Sequence, residues 1–128
     1  MDGQQDTGSD LQAAALAYCD AVYFARAEVF EDLCHERFQM TLIENGQATL
    51  WDKPAYLARV AGRAPFEGAP VYEILSVDVA GETMAHVKLQ VRVPPRLFED
   101  YLGFFRVGGE WKLITKLFRT VDGPALEG

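Results

Sequence analysis

VYEILSVDVAGETMAHVKLQVRVPPRLFEDYLGFFRVGGEWKLITKLF, residues 71–118, decides how the rest of this chain must be arranged. Runs rich in Val, Ile, Leu, Phe and Tyr are broken by Ala80-Gly81-Glu82, by Pro94-Pro95 and by Gly108-Gly109. Apolar runs punctuated this way predict strands joined by tight turns. The expected strands are 71–79, 83–93, 97–107 and 110–119. In the first hairpin Leu75, Val77 and Val79 alternate with polar neighbours, as do Ala85, Val87, Leu89, Val91 and Val93 on the return. An odd, three-residue loop puts both apolar sets on one face; a two-residue loop does not, because a one-residue slip turns every side chain over.

The second hairpin reads differently. With Gly108-Gly109 as a two-residue turn, Val107 pairs with Glu110, Gly103 with Ile114 and Tyr101 with Lys116. One face then carries Glu99, Tyr101, Gly103, Phe105, Lys112, Ile114, Lys116 and Phe118, and the other carries Leu102, Phe104, Trp111, Leu113 and Leu117, with Arg106 and Thr115; both are rich in large apolar groups. A sheet covered by helices on one side and by water on the other shows a polar second face. Two apolar faces therefore predict a homodimer through the sheet, with the leucines and Trp111 given to the second copy.

Upstream of the sheet, Ser9-Asp10-Leu11-Gln12 has the form of a capping box, followed by Leu11, Ala15, Tyr18, Val22 and Ala25 at helical spacing. This predicts a long helix to about Phe24, a bend, and a shorter helix ending near Cys34-His35. Asn45-Gly46 between 38–44 and 47–51 marks a two-residue hairpin. Asp52-Lys53-Pro54 then opens a third helix, with Asp52 as N-cap and Tyr56, Leu57 and Val60 on its apolar side. Residues 62–70 are a loop anchored by Phe66. The expected organisation is a loose segment at 1–8, one α+β domain at 9–120 and a tail at 121–128.

The totals narrow the function classes. A chain of 128 residues is one domain's worth, able to bury roughly two-thirds of its unfolded surface. It is 49% hydrophobic and 24% charged, with 12 Lys+Arg against 19 Asp+Glu and a net charge of -7. That balance excludes a nucleic-acid partner, which needs a basic footprint, and an anionic membrane surface. Neither a signal-peptide pattern nor a spanning run is expected from the polar N-terminus and the short apolar runs. Two cysteines are too few for a disulfide scaffold and fit a reducing, cytoplasmic setting.

Helix, helix, hairpin, helix and a long antiparallel sheet resembles the cone-shaped α+β barrel of the nuclear-transport-factor-2-like superfamily, the cystatin-like fold shared by ketosteroid isomerases, scytalone dehydratases and some polyketide cyclases. Tyr18, Tyr23, Leu33-Cys34-His35, Leu75-Ser76-Val77-Asp78-Val79, Phe98-Glu99-Asp100-Tyr101-Leu102, Gly109-Glu110-Trp111-Lys112-Leu113 and Lys116-Leu117-Phe118 are similar to its "putative lumazine-binding" branch. The likeness covers about residues 11–119 and departs at Ala25-Arg26 and Glu36-Arg37. It implies three helices packed on a curved antiparallel sheet, a cavity between the layers, and dimerisation. It does not imply one function, since this fold hosts binders and enzymes alike.

Isomerases of that resemblance use a helical tyrosine, a carboxylate base and a protonated acid. Here the tyrosine falls on Tyr18, the base on Leu42 with Thr41 beside it, and the acid near Gly103. Leucine cannot take a proton and glycine cannot give one, so Glu44 is left as the substitute base. A dehydratase would need paired histidines, and only His35 and His86 exist. The residues expected to bind a ligand are Tyr18, Tyr101, Lys116 and Phe118, with Trp51, Tyr56 and Phe66 at the mouth. Lys116 beside Tyr101 suits an anionic or carbonyl group above the space left by Gly103; alternatively Lys116 pairs with Glu99 or Asp100. No metal-ligand spacing, phosphate loop or cofactor motif occurs, and no catalytic residue is assigned. Three readings stay open: a binder of a small hydrophobic or aromatic molecule, an isomerase-, lyase- or cyclase-type enzyme acting on a hydrophobic carbonyl compound, and a structural dimer with no open pocket.

Overall fold

A computed structural model of the chain describes residues 3–126. The elements run α1 (Gly3–Phe24), α2 (Ala27–Leu33), β1 (Cys34–Glu44), β2 (Gln47–Asp52), α3 (Lys53–Ala61), β3 (Tyr72–Ala80), β4 (Met84–Val93), β5 (Arg96–Val107) and β6 (Glu110–Asp122). Six strands form one sheet in the order β2-β1-β6-β5-β4-β3, with the helices packed on one face. The α+β architecture expected from the sequence holds. The sheet is mixed rather than wholly antiparallel, because β1 and β6 pair in parallel. Parallel neighbours need a long crossover, which α3 and the β3–β6 meander supply.

Each helix follows from local chemistry. On α1, Leu11, Ala15, Tyr18 and Val22 form one fully buried stripe, and burying each large apolar side chain contributes about 1.5–3 kcal/mol. The helix begins at Gly3, so residues 3–8, expected to be loose, have helical backbone and Ser9 stands inside the helix rather than at its N-cap; the Ser9 side chain lies outside the described residues. At the other end Ala25 takes a left-handed φ of 55° and Arg26 N donates to Ala21 O at 3.0 Å, which closes α1 and makes the bend. Asp52 caps α3 by accepting from Ala55 N at 3.0 Å, with Pro54 in the first turn. Lys53 Nζ donates to the Glu31 and Cys34 carbonyls at 2.8 and 2.9 Å, tying α3 to the end of α2.

The hairpins fix which side chains meet the helices. Asn45 and Gly46 both have positive φ, as a two-residue turn requires. The β3–β4 loop is odd: Ala80 faces Met84, Val79 faces Ala85 and Val77 faces Val87. Val87 is buried while Val77 is half exposed, because β3 is the sheet edge and reaches beyond the helices.

The β5–β6 pair departs from the expected count. Val107 opposes Glu110 and Phe104 opposes Leu113 as the glycine turn dictates, but Ile114 is an extra residue, and the register resumes with Gly103 opposite Thr115. A bulge of one residue exchanges the two faces beyond it. Lys116 therefore opposes Leu102, and Tyr101 opposes Leu117. The expected Tyr101–Lys116 pair does not form. Leu102, Phe104, Trp111 and Leu113 lie buried in the helical core, not on a face offered to a second copy. Tyr101 points to the opposite, outer face, where it is 41% exposed.

Candidate functional site

Beyond the bulge, two charged side chains enter the core from neighbouring strands. Asp100 on β5 is fully buried and Lys116 on β6 is 7% exposed; they are the only charged residues classed as buried among those described. Tyr18, from α1, donates its hydroxyl to Asp100 Oδ2 at 2.5 Å, and Asp100 Oδ1 has no hydrogen-bond partner. Lys116 Nζ sits 4.6 Å from the Phe118 ring centroid, 5.1 Å from Tyr56 and 5.2 Å from Tyr18. Three ring faces stabilise the ammonium by cation–π attraction.

Burial sets the proton affinities of this cluster. Desolvation raises the Asp100 carboxyl above the usual carboxylate range, opposed by the charge of Lys116 and by the Tyr18 hydroxyl. It lowers the Lys116 ammonium, opposed by Asp100. Burial and the adjacent carboxylate together push Tyr18 well above an ordinary phenol. The two thiols are buried and free, both pushed up to about 12. Cys34 and His35 do not act as a pair: the thiol is in the core, and His35 lies against Phe105 with its Nδ1 accepting from Arg37 N.

A cavity of about 280 Å³ opens beside the cluster, between α1, α3, the loop after α3 and the helical face of the sheet. Tyr18, Tyr56, Phe66, Lys116 and Phe118 all line it. Trp51 is buried behind Phe118, at 6.2 Å between ring centroids, and contributes support rather than surface. Tyr101 lines a depression on the outer face with Ile43, Leu117 and Arg119, and His86 stacks on it at 5.1 Å. Gly103 opens no space, because the Thr115 side chain occupies the position a Cβ would take. The structure brings five of the seven expected residues to one cavity, and Asp100, expected only as an alternative partner of Lys116, accepts from Tyr18.

Other expected roles resolve as follows. Leu42, at the base position, is a buried core side chain. Glu44 does not reach into the cavity; it accepts from Thr120 Oγ1 at 2.8 Å and from Leu126 N at 2.9 Å. It thereby holds the segment after β6, and Leu126 folds back to line the cavity. Arg96 secures the same segment by donating to the Pro124 and Ala125 carbonyls at 2.9 and 3.2 Å. Neither His35 nor His86 lines the cavity.

Comparison with known proteins fits this geometry. The family model described as "Putative lumazine-binding" matches residues 6–119. No curated protein matches the chain. Among solved structures, an NTF-2 like protein of unknown function from Silicibacter pomeroyi superposes with a TM-score of 0.85 at 20% identity, covering 93% of this chain and 99% of that one. A cystatin-like fold protein from Burkholderia xenovorans gives 0.72 at 18% identity, with 94% and 96% coverage. A ketosteroid isomerase-like protein from Erwinia carotovora atroseptica gives 0.69 at 17%, with 90% and 96%. These likenesses establish the NTF2-like, cystatin-like fold. No described helix is long and apolar enough to cross a membrane.

Proposed function

The chain belongs to the "Putative lumazine-binding" family, and from that premise we propose that it binds a small, mainly apolar or aromatic molecule in the cavity between helices and sheet. The observation that carries the reading is Lys116, an amine buried on the cavity wall beside the Tyr18–Asp100 hydrogen bond. Taking such a charge out of water costs several kcal/mol, and apolar packing alone gives no reason for it. Apolar walls with a few fixed polar groups are the usual composition of a ligand site.

A second reading is favoured by Tyr18 and Asp100 themselves. A carboxyl kept protonated by burial could turn its own proton to the Tyr18 oxygen and free the phenol to polarise a carbonyl, as an isomerase, lyase or cyclase requires. The base position holds Leu42, and Glu44 is engaged with Thr120 and Leu126. Binding without turnover is therefore preferred. A structural dimer with a filled interior is disfavoured by the space of about 280 Å³.

The expected homodimer is kept as part of the proposal, with Leu117 alone retained from the expected face. Ile43, Met84, Tyr101 and Leu117 are exposed on the outer face, and an apolar sheet face of this kind suits a second copy. A cytoplasmic setting is supported by Cys19 and Cys34, both free.

The test is a melting-temperature screen against lumazine, aromatic ketones and aromatic acids, followed by calorimetry. A ligand that stabilises the wild type but not the cavity-filling variant Val91→Phe or Val22→Leu supports the reading. A panel without one stabilising compound overturns it.

A further inference from the structure

The cavity wall has a charge imbalance that a neutral ligand leaves uncorrected. Arg59, Arg63, Arg96 and Lys116 line it, and among the described residues no Asp or Glu does. This concentrates four of the 12 Lys+Arg of a chain with net charge -7 around one small space. Asp100 attracts the Lys116 ammonium, while Arg63 and Arg59 repel it. Arg63 is held by the neutral Val22 carbonyl at 2.7 Å and by the Phe66 ring at 5.7 Å. Its Nη1 is buried without a hydrogen-bond partner. Low-dielectric walls strengthen such a field.

Resting on the ligand-binding reading above, we propose that the cavity selects organic anions: a ring-bearing carboxylate whose head is drawn to Lys116 and the Arg63 side of the wall, and whose body packs on Val22, Met40, Val91 and Phe98. The walls suit such a body because they are aliphatic and aromatic, and about 280 Å³ accommodates one or two fused rings. The head is recognised by charge, and the positive excess discriminates it from an amide or ester of the same shape. The acidic exterior does not oppose entry strongly, since exposed charges are screened within about 8 Å at physiological salt.

The experiment compares 2-naphthoate with 2-naphthamide, equal in shape and different in charge, by calorimetry on the full chain at pH 7. The carboxylate is expected to bind roughly ten- to a hundredfold more tightly, the range of a charge-assisted contact. Lys116→Met should reduce that preference to within about threefold. Arg63→Gln, at a partly exposed position, should reduce it in the same direction. Equal binding of the two compounds, or tighter binding of the amide, overturns the anion inference and leaves the cavity reading standing. Binding of neither, with lumazine and ketones also silent, overturns both. A preference that survives in both variants places the anion elsewhere and also overturns the inference.

Discussion

Tyr18 and Asp100, 82 positions apart in the chain, are joined by a 2.5 Å hydrogen bond inside the core. One comes from the first helix and the other from β5, so the bond links the two layers of the fold at the wall of its cavity. Both side chains are 0% exposed. With water excluded, neither group has a solvent partner to fall back on, and the bond carries structural weight as well as defining the site.

The first prediction is that this bond is energetically coupled. Tyr18→Phe should cost about 1.5–3 kcal/mol, the range for a hydrogen bond to a charged group. Asp100→Asn should cost less, because it also removes a buried charge. In a double-mutant cycle by urea denaturation, the two losses should fall short of additivity by about 1 kcal/mol or more. Additive losses would mean that the hydroxyl and carboxyl do not interact in solution.

The pH dependence follows from the same carboxyl. Its folded-state affinity for a proton is raised by burial above the ordinary value of 3.8. A raised acid favours folding most below its unfolded value, and the advantage is lost as pH rises through the folded value. Wild-type stability measured relative to Asp100→Asn should therefore decline from about pH 4 upward and then level. Lys116 acts in the opposite window: its folded value is lowered from 10.5, so its contribution is greatest above 10.5 and falls as pH drops. Lys116→Met should flatten the alkaline limb. A wild type and Asp100→Asn pair with parallel stability profiles between pH 4 and 8 would contradict the buried carboxyl.

How far the sequence could be read turns on Ile114. The glycine turns, the Asn45-Gly46 hairpin, the Asp52 cap and the odd β3–β4 loop are local signals, and each appears where its residues predict. A bulge has no such signal, since Ile114 differs in nothing from a paired strand residue. Counting through it sent Lys116 to Tyr101 and left Asp100 only an alternative, though Phe98, Asp100, Leu102 and Phe104 alternate in plain view. The apparent apolarity of both β6 faces was itself the trace of a face change at mid-strand. Inverting the register beyond Leu113 leaves one face apolar and the other mixed, with Lys112, Thr115 and Arg119 beside Leu117.

The outer face gives the third prediction. Tyr101 and Leu117 are opposite each other there, both more than 40% exposed, next to a Glu99–Arg119 ion pair of 2.9 Å. Leu117→Glu should convert a dimer into a monomer in sedimentation while leaving the far-ultraviolet circular dichroism unchanged. A wild type that sediments as a monomer at high micromolar concentration would exclude this face as an interface.

Ala25 offers a stabilising substitution. It occupies the left-handed position that ends α1, with φ of 55°, where a Cβ is unfavourable by roughly 1–2 kcal/mol. Ala25→Gly should raise stability by about 0.5–1 kcal/mol after the added freedom of the unfolded chain is subtracted. The same change at Ala21, inside the helix and buried, should instead destabilise. Equal effects at both positions in urea denaturation would show that the bend at residue 25 is not closed as described.

The segment after β6 supplies the last prediction. Glu44 and Arg96 hold its backbone by three hydrogen bonds, and these bring Leu126 to the cavity wall. A chain ending at Asp122 lacks that wall and leaves the apolar side of the cavity open to water. Replacing Leu126 alone by Ala removes the side chain and keeps the backbone bonds, so the two variants separate closure from anchoring. Truncation should weaken 2-naphthoate binding about tenfold, equivalent to the loss of roughly 1.4 kcal/mol. Leu126→Ala should recover part of that loss, while the melting temperature of the unliganded protein falls by several degrees only in the truncated form. Unchanged affinity in both variants would show that the segment lies against the domain without closing the cavity.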